Sequence, residues 1–237
     1  MLRIENLKLS PGGGLPALRA EVLHILRIQE NALLSLHILR RSIDAREGVR
    51  MVYTVEAEVA NKAAVLRRRD KHISRGTPRP AYQPPEAVSP PELPPVVVGA
   101  GPAGLFAALV LARAGARPIL LERGRKVEER SADVERFWAT GELDLTSNVQ
   151  FGEGGAGAFS DGKLNTGTKD LRHRFILETL VRCGAPDTIL TDAKPHVGTD
   201  KLHIALQALR QELEAAGADI RFNARLEHIR IQDGAVS

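Results

Sequence analysis

The chain has 237 residues, of which 43% are apolar and 26% are charged. These values are ordinary for a globular protein and exclude a collagen-like or wholly disordered chain. A single cysteine excludes a disulfide scaffold and any multi-cysteine metal site, and it fits a reducing compartment. The longest apolar run is too short to span a bilayer, and the first residues lack signal-peptide features. We therefore expect a cytoplasmic protein with no membrane partner.

The net charge of +4 is unevenly distributed along the chain. The first 93 residues carry +5 and the remainder carries −1. The densest basic run, residues 67–71, fits either an anion-binding patch or a solvated helix end. No aromatic side chains are interleaved with this run, so we favour the solvated helix end and expect no nucleic acid partner.

A proline-rich stretch at residues 78–95 divides the chain, because such a run forms neither helix nor central strand. It predicts an extended linker between a first domain at residues 1–77 and a second at residues 96–237. The first domain reads as strand (2–9), helix (17–28), strand (34–38), strand (49–59) and helix (60–69). This β-α-β-β-α order predicts a small α+β domain with its helices on one sheet face, and nothing in it has catalytic spacing.

The second domain reads as an α/β unit with parallel strands. A short buried strand (96–98), a helix (104–114) and an apolar strand (118–122) form the first β-α-β unit. Helices are expected at residues 127–139, 171–183 and 201–216, followed by strands at 219–222 and 226–231. Thr199 or Asp200 is placed to cap the third of these helices at its start, and Gly217 at its end.

The first candidate site is the segment V-V-V-G-A-G-P-A-G. Gly99, Gly101 and Gly104 satisfy the spacing G-x-G-x-x-G after a strand and at the start of a helix. Glu122 ends the next strand, 21 residues after Gly101, where an acid can accept hydrogen bonds from a ribose hydroxyl. The helix start supplies free N–H groups to a pyrophosphate. We predict a dinucleotide site here, with Ala100, Pro102 and Ala103 completing the loop.

A second glycine-rich segment covers residues 148–165, N-V-Q-F-G-E-G-G-A-G-A-F-S-D-G-K-L-N. Its glycines free backbone N–H groups and let the main chain lie against a flat or anionic ligand. Phe151 and Phe159 favour a packed segment over a loose surface loop. A plain NAD site has no evident use for this segment, so it favours FAD.

Together these motifs resemble a known family. G-A-G-P-A-G with L-L-E-R-G, then N-V-Q-F-G-E-G-G-A-G-x-F-S-D-G-K-L and H-V-G-T-D-K-L, resemble the FAD-dependent oxidoreductases described as NAD(FAD)-utilising dehydrogenases. These belong to the glutathione-reductase-like flavoproteins. The resemblance covers most of residues 94–237, and R-R-S-I-D-A-R with V-Y-T-V-E extends it to the first domain.

The resemblance assigns a role to each matching position. Gly99, Gly101 and Gly104 would hold the FAD pyrophosphate, and Glu122 the adenosine ribose with Arg123 beside it. Because Glu122 ends a strand, we expect its replacement to lower FAD affinity with little effect on the fold. Arg130 would reach a phosphate. The residues expected near the flavin ring are Gly154, Gly155, Ala156, Gly157 and Lys163.

The sequence therefore predicts a partial FAD/NAD(P)-binding Rossmann-type domain preceded by a small α+β domain. The resemblance implies a flavin oxidoreductase with FAD as cofactor, a small-molecule substrate and NAD(P)H as electron donor. It also implies a further strand beyond the turn at Gly234, so we expect the domain to be truncated. The alternatives are a non-catalytic dinucleotide- or RNA-associated binding module, or an inactive truncated product.

Overall fold

A computed structural model describes residues 1–78, 80–85, 89–164, 170–232 and 235–236. The chain divides into two compact units. The first unit contains Met1–Ala81 together with Asp187–Pro195, and the second contains Tyr82–Pro186 and His196–Ser237. The sequence did not predict that residues 187–195 belong with the first unit, because the two domains were expected to be contiguous.

The first unit has a β-α-β-β-α-β order. Its strands are β1 (Leu2–Leu9), β2 (Leu33–Asp44), β3 (Arg50–Val59) and β4 (Ile73–Arg75), and its helices are α1 (Gly14–Leu26) and α2 (Lys62–Leu66). The strands form an antiparallel sheet in the order β2-β3-β1-β4, which is the split β-α-β arrangement. Strand β4 was not predicted, and the helix expected at residues 60–69 is only five residues long.

Alternation of apolar and polar residues positions the core of this unit. Along β3, Tyr53, Val55, Ala57 and Val59 are buried, and the residues between them are only partly buried. One sheet face therefore turns its apolar side chains into a common core with α1. The buried core residues are Leu2, Ile4, Leu7, Leu18, Val22, Leu26, Leu33, Tyr53, Val55, Ala57, Val59 and Val65.

Residues 187–195 join the first unit along strand β2. The backbone N–H of Arg41 donates to the carbonyl oxygen of Thr191 at 2.7 Å, and Ala193 N–H donates to Arg41 O at 2.8 Å. The Arg41 guanidinium also makes a two-pronged ion pair with Asp192, at 2.6 and 2.9 Å. Two backbone bonds and a bidentate ion pair thus hold this segment in place.

The second unit is built on a parallel sheet. Strands β5 (Val96–Val98), β6 (Ile119–Leu121) and β7 (Asp219–Arg221) pair in the order β5-β6-β7. The helices are α3 (Pro102–Arg113), α4 (Val127–Thr140), α5 (Arg172–Arg182) and α6 (Thr199–Ala215), and Ala156–Phe159 forms a 3-10 helix. A separate antiparallel pair joins β8 (Ile231–Gln232) to β9 (Ala235–Val236). No described residue between 78 and 95 lies in a helix or strand.

Two expectations for this unit are wrong. The strand expected at residues 226–231 is absent except for Ile231, which begins β8. Helix α6 begins at Thr199, after Gly198, and no side chain caps it. Gly217 does follow its last turn, with φ at +89°. The turn expected at Gly234 lies outside the described residues. Among the described residues, no helix combines the length and apolarity needed to cross a bilayer.

Candidate functional site

A cavity of about 390 Å³ lies where the carboxyl ends of β5, β6 and β7 meet the glycine-rich segments. Ligands of open parallel sheets bind at this edge, because the loops that follow the strands converge there. Its volume falls within the range of small-molecule sites. The lining residues are Val98, Gly99, Gly101, Leu121, Glu122, Arg123, Gln150, Phe151, Gly152, Gly155, Ala224, Arg225 and Leu226.

The first glycine motif forms the turn between β5 and α3. Gly99 has φ at +94°, a conformation that side chains disfavour, and its N–H donates to Leu121 O at 2.7 Å. A Cβ at Gly104 would collide with the Gly99 carbonyl oxygen, so strand and helix approach closely only because that side chain is absent. Gly101 lines the cavity, and a Cβ there would meet open space. Its hydrogen atom therefore leaves room for a ligand.

The first turn of α3 follows directly after Gly101 and carries hydrogen-bond donors, although the residues of α3 do not themselves line the cavity. Gly101 precedes the helix in an extended conformation, and Pro102 occupies the first helical position. The first helical bond runs from Leu105 N–H to Gly101 O at 3.0 Å. The N–H groups of Ala103 and Gly104 precede that bond and have no partner within the helix. Together with the helix dipole they favour an anionic group.

Glu122 lines the cavity, but its carboxylate mainly accepts hydrogen bonds from backbone N–H groups. The residue is 5% exposed. Its Oε2 accepts from Ala100 N–H at 2.7 Å, and its Oε1 accepts from Gly124 N–H at 2.9 Å and from Gly152 N–H at 3.0 Å. One carboxylate thus holds the first glycine motif, the end of β6 and the second glycine segment. A carboxylate has about four acceptor sites, so one remains for a ligand hydroxyl.

The second glycine segment packs directly against the first. Gly154 N–H donates to Ala100 O at 2.8 Å, and a Cβ at Gly155 would lie 3.4 Å from the Cα of Gly101. Gly152 and Gly155 line the cavity, whereas Gly154 faces Leu206 of α6. Ala156 and Gly157 continue into the 3-10 helix and do not line the cavity.

The side chain of Arg130 holds the backbone of the second glycine segment in place. Its side chain is fully buried and donates to five carbonyl oxygens of the segment, at 2.6 to 3.3 Å. The acceptors are Asn148, Val149, Gly152, Glu153 and Gly155. Nε and Nη2 each donate to one of these oxygens and Nη1 donates to three of them, and the side chain is fully buried. The expectation that Arg130 contacts a phosphate therefore has no support from its position. Burial lowers the pKa of Arg130 to about 10, and it stays cationic at neutral pH.

Two arginines supply positive charge at the cavity. The Arg123 guanidinium carbon lies 3.7 Å from the centre of the Phe151 ring, and its Nη2 donates to Leu145 O at 2.9 Å. Stacking on an aromatic face fixes the plane of the guanidinium. Arg225 also lines the cavity and pairs with Glu227 at 3.1 Å.

The structure does not bring Lys163 to this cavity. The side chain is 63% exposed and pairs with Asp161 at 2.6 Å, and that carboxylate raises the pKa of Lys163. A place beside a flavin ring therefore has no support from its position. Within the described part of the chain, no group of His, Cys, Asp and Glu side chains is arranged to hold a metal ion.

Beneath the second glycine segment lies a buried ion-pair network. Arg210 of α6 donates to Glu153 Oε2 at 2.6 Å and to both carboxylate oxygens of Glu128 on α4. Val127 N–H donates to the same Glu153 oxygen at 2.8 Å. The network joins the segment to two helices, and the residue pattern gave no sign of it.

A second cavity, of about 620 Å³, lies between α3 and α5. Its lining is largely apolar, with the Tyr82 and Phe106 rings 5.4 and 6.3 Å from Phe175. Glycine backbone is absent from its described lining. It therefore lacks the features that suit the smaller cavity to a phosphorylated ligand.

Three residues that line the cavity were not predicted to lie at the site: Gln150, Arg225 and Leu226. The rule that ligands sit at the carboxyl ends of parallel strands would have pointed to Arg225 and Leu226, which follow β7 by a few residues. Gln150 lies within the second glycine segment but carries no pattern of its own.

Comparison with known proteins supports flavin binding. Residues 92–134 match the model of an FAD binding domain, a stretch that contains the first glycine motif, Glu122 and Arg130. Residues 1–60 match a domain of unknown function (DUF8436). An uncharacterized protein of Clostridium beijerinckii is 43% identical over 236 residues, which is 98% of this chain and 44% of that protein. The chain thus spans less than half the length of this relative.

Proposed function

We propose that the second unit is the FAD-binding, Rossmann-type part of a flavin-dependent oxidoreductase. The observation that carries the proposal is the meeting of two glycine segments at the carboxyl edge of a parallel sheet, beside the first turn of a helix. Gly101 and Gly155 pack against each other and both line this cavity, and Gly101 lies inside the stretch that matches an FAD binding domain.

The residues present fit FAD. The open space at Gly101 and the free N–H groups of α3 suit its pyrophosphate. The remaining acceptor site of Glu122 suits a ribose hydroxyl, and the stacked guanidinium of Arg123 suits the adenosine half. Gly152 and Gly155 present backbone groups towards the remaining part of the FAD molecule. When bound, the flavin would supply hydride and electron transfer.

The chain's own part in this function is to bind and orient the cofactor. Glu122 and Arg130 hold the cavity walls together through protein backbone groups, and such preorganisation lowers the entropic cost of binding. Catalytic residues are not assigned. A small-molecule substrate and NAD(P)H as electron donor belong to the same proposal, and so does the activity of the longer protein of which this chain resembles one part.

The test is titration of the purified chain with FAD, followed by flavin fluorescence. Gly101→Ala is the decisive variant, because φ at Gly101 is −75° and the added methyl group would enter the cavity rather than the protein core. We expect at least a tenfold loss of FAD affinity with unchanged circular dichroism. Ala215→Val, on the exposed side of α6, is the control and should bind FAD like the wild type.

NAD⁺ and NADP⁺ are titrated in parallel. A folded chain that binds either nicotinamide dinucleotide but not FAD would overturn the choice of cofactor. Binding of FAD without photoreduction of the bound flavin would favour a non-catalytic module over an oxidoreductase.

A further inference from the structure

Glu153 is a buried carboxyl inside the segment that walls the cavity. Its neighbours in the chain, Gly152 and Gly154, contact the cavity and α6 respectively. Glu153 itself is 1% exposed and points away from the cavity, towards the start of α4 and the middle of α6. The ligand wall and a titratable group therefore share one short stretch of backbone.

The two oxygens of this carboxyl have different surroundings. Oε2 accepts from Val127 N–H and from Arg210 Nη1, at 2.8 and 2.6 Å. Oε1 is buried and, within the described residues, has no hydrogen-bond partner. Burying an oxygen without a partner costs far more when it carries charge than when the carboxyl is neutral. The unpartnered Oε1 therefore favours the neutral form.

Charges of both signs surround Glu153. Arg210 is shared, because its guanidinium also pairs with Glu128. Arg130 donates to the Glu153 carbonyl oxygen, and Arg125 O accepts from Glu153 N–H. The charged side chains on the packed elements are Glu122 after β6, Arg125 and Lys126 before α4, Glu128 and Arg130 on α4, and Arg210 on α6.

Burial is the dominant influence on this group. It raises the pKa of Glu153 to about 7, against the opposing effects of the Val127 N–H and Arg210. Glu128 adds to the increase because its negative charge repels a second carboxylate. Both protonation states are therefore populated near neutral pH.

We infer that binding of a diphosphate-bearing dinucleotide in the cavity is coupled to uptake of a proton by Glu153. A pyrophosphate brings two negative charges close to the wall that contains this carboxyl, and added negative charge favours the neutral carboxyl. By linkage, a ligand that favours protonation binds with proton uptake, and its affinity falls as the pH rises through neutrality. This inference rests on the proposed function, since it requires the dinucleotide to occupy this cavity.

Isothermal titration calorimetry of FAD binding, in buffers of different ionisation enthalpy at pH 7, measures the coupling directly. A half-protonated group can take up at most about half a proton at that pH, so we expect an uptake up to about 0.5 per FAD. Glu153→Gln removes the titrating group and should bind FAD without uptake. Glu129→Gln changes the same charge on the exposed first turn of α4 and should keep the wild-type uptake.

Two further measurements use only the wild-type protein, so they test the coupling even where Glu153→Gln folds poorly. The FAD affinity of the wild type, measured from pH 6 to 8, should fall as the pH rises. The melting temperature of the ligand-free wild type should also fall between pH 5 and 7. Because the folded pKa lies above the usual value, the neutral form stabilises the fold at low pH and that contribution is lost as the pH rises through 7.

The outcomes separate the two proposals. FAD binding without proton uptake, or uptake that persists in Glu153→Gln, overturns the role of Glu153 and leaves flavin binding intact. A folded chain that does not bind FAD overturns the proposed function and the coupling with it. ADP-ribose is titrated as a second probe, because it carries the diphosphate without the flavin and without a terminal phosphate that titrates near pH 7, and it should show uptake of the same sign.

Discussion

The two units differ in what they bury. The first unit has a core of apolar side chains beneath a sheet in which three of the four strands have eight to twelve residues. The second unit has parallel strands of three residues, and it contains all the buried polar or charged residues among those described. These are Glu122, Arg130, Asp133, Ser147, Asn148, Glu153, Thr179 and Arg210.

This difference shows how a chain divides stability and binding between its parts. An apolar core needs only volume and pattern, and it leaves no groups free for a ligand. Around the cavity, loops rather than long strands form the walls, so carboxylates and guanidinium groups must hold the backbone in place. Buried charges are costly unless fully paired, and this cost is typical of functional sites.

The largest expected effect comes from removing the buried arginine of the second unit. Arg130→Met leaves the carbonyl oxygens of Asn148, Val149 and Glu153 without a donor among the described residues, whereas those of Gly152 and Gly155 keep backbone N–H donors. We expect the second unit to lose about 4 kcal/mol of stability. Hydrogen-exchange mass spectrometry should show loss of protection at residues 148–155, and FAD binding should be lost. Arg136→Met is the control on the same helix, since that side chain is 46% exposed. Unchanged protection in Arg130→Met would contradict the role assigned to it.

A core substitution in the first unit is the counterpart. Ile4→Ala should cost about 3 kcal/mol, because Ile4 is fully buried among apolar neighbours. Hydrogen exchange should increase in the first unit, while the FAD affinity of the folded protein stays unchanged. Ile43→Ala, at a side chain that is 68% exposed, should have little effect. A loss of flavin affinity equal to that of Arg130→Met would show that the two units do not differ in this way.

Glu122 has a structural as well as a ligand-binding part to play. Glu122→Gln replaces one acceptor oxygen by a donor amide that faces N–H groups, so we expect about 2 kcal/mol lower stability in the second unit. This differs from the expectation that replacement would hardly affect the fold. Chemical denaturation measures the loss of stability, and FAD titration measures the loss of affinity. Glu135→Gln, at an exposed position of α4, is the control. Full stability with reduced FAD affinity would show that Glu122 serves ligand binding alone.

The smallest effect concerns a helix cap in the first unit. The Asn61 side chain accepts from Ala64 N–H at 3.1 Å at the start of α2. Asn61→Ala should destabilise the first unit by about 1 kcal/mol and leave the cavity unaffected. The exposed Asn31 provides the matched control. Denaturation midpoints that coincide for the two variants would show that this cap contributes nothing.

The sequence predicts local elements well where their own residues determine them. The bounds of β5, α3, β6 and α4 agree with expectation within two residues, because the glycine motif and the apolar runs specify them locally. Strand β4 was not predicted, the strand predicted at residues 226–231 is absent except for Ile231, and both errors have the same cause. Short strands depend on a hydrogen-bonding partner, and the apolar residues Leu226, Ile229 and Ile231 do not reveal whether one exists.

The sequence predicts which motif residues form the candidate site, but it does not predict the buried side chains that hold those motifs in place. Spacing alone identifies Gly99, Gly101 and Glu122, which line the cavity. It also identifies Gly104, which lets α3 lie close to the Gly99 turn. Arg130 was assigned to a phosphate only through the family resemblance. Its burial depends on five carbonyl oxygens that converge only in the folded segment, and no local pattern encodes that convergence.

The attachment of residues 187–195 to β2 has a consequence for biosynthesis. A ribosome releases the first 81 residues long before it releases Asp192, which pairs with Arg41. At ordinary elongation rates the delay is on the order of ten seconds. During that interval the edge of β2 near Arg41 has no partner in the emerging chain. The nascent polypeptide therefore exposes an unpaired strand edge during synthesis, where chaperone binding would protect it.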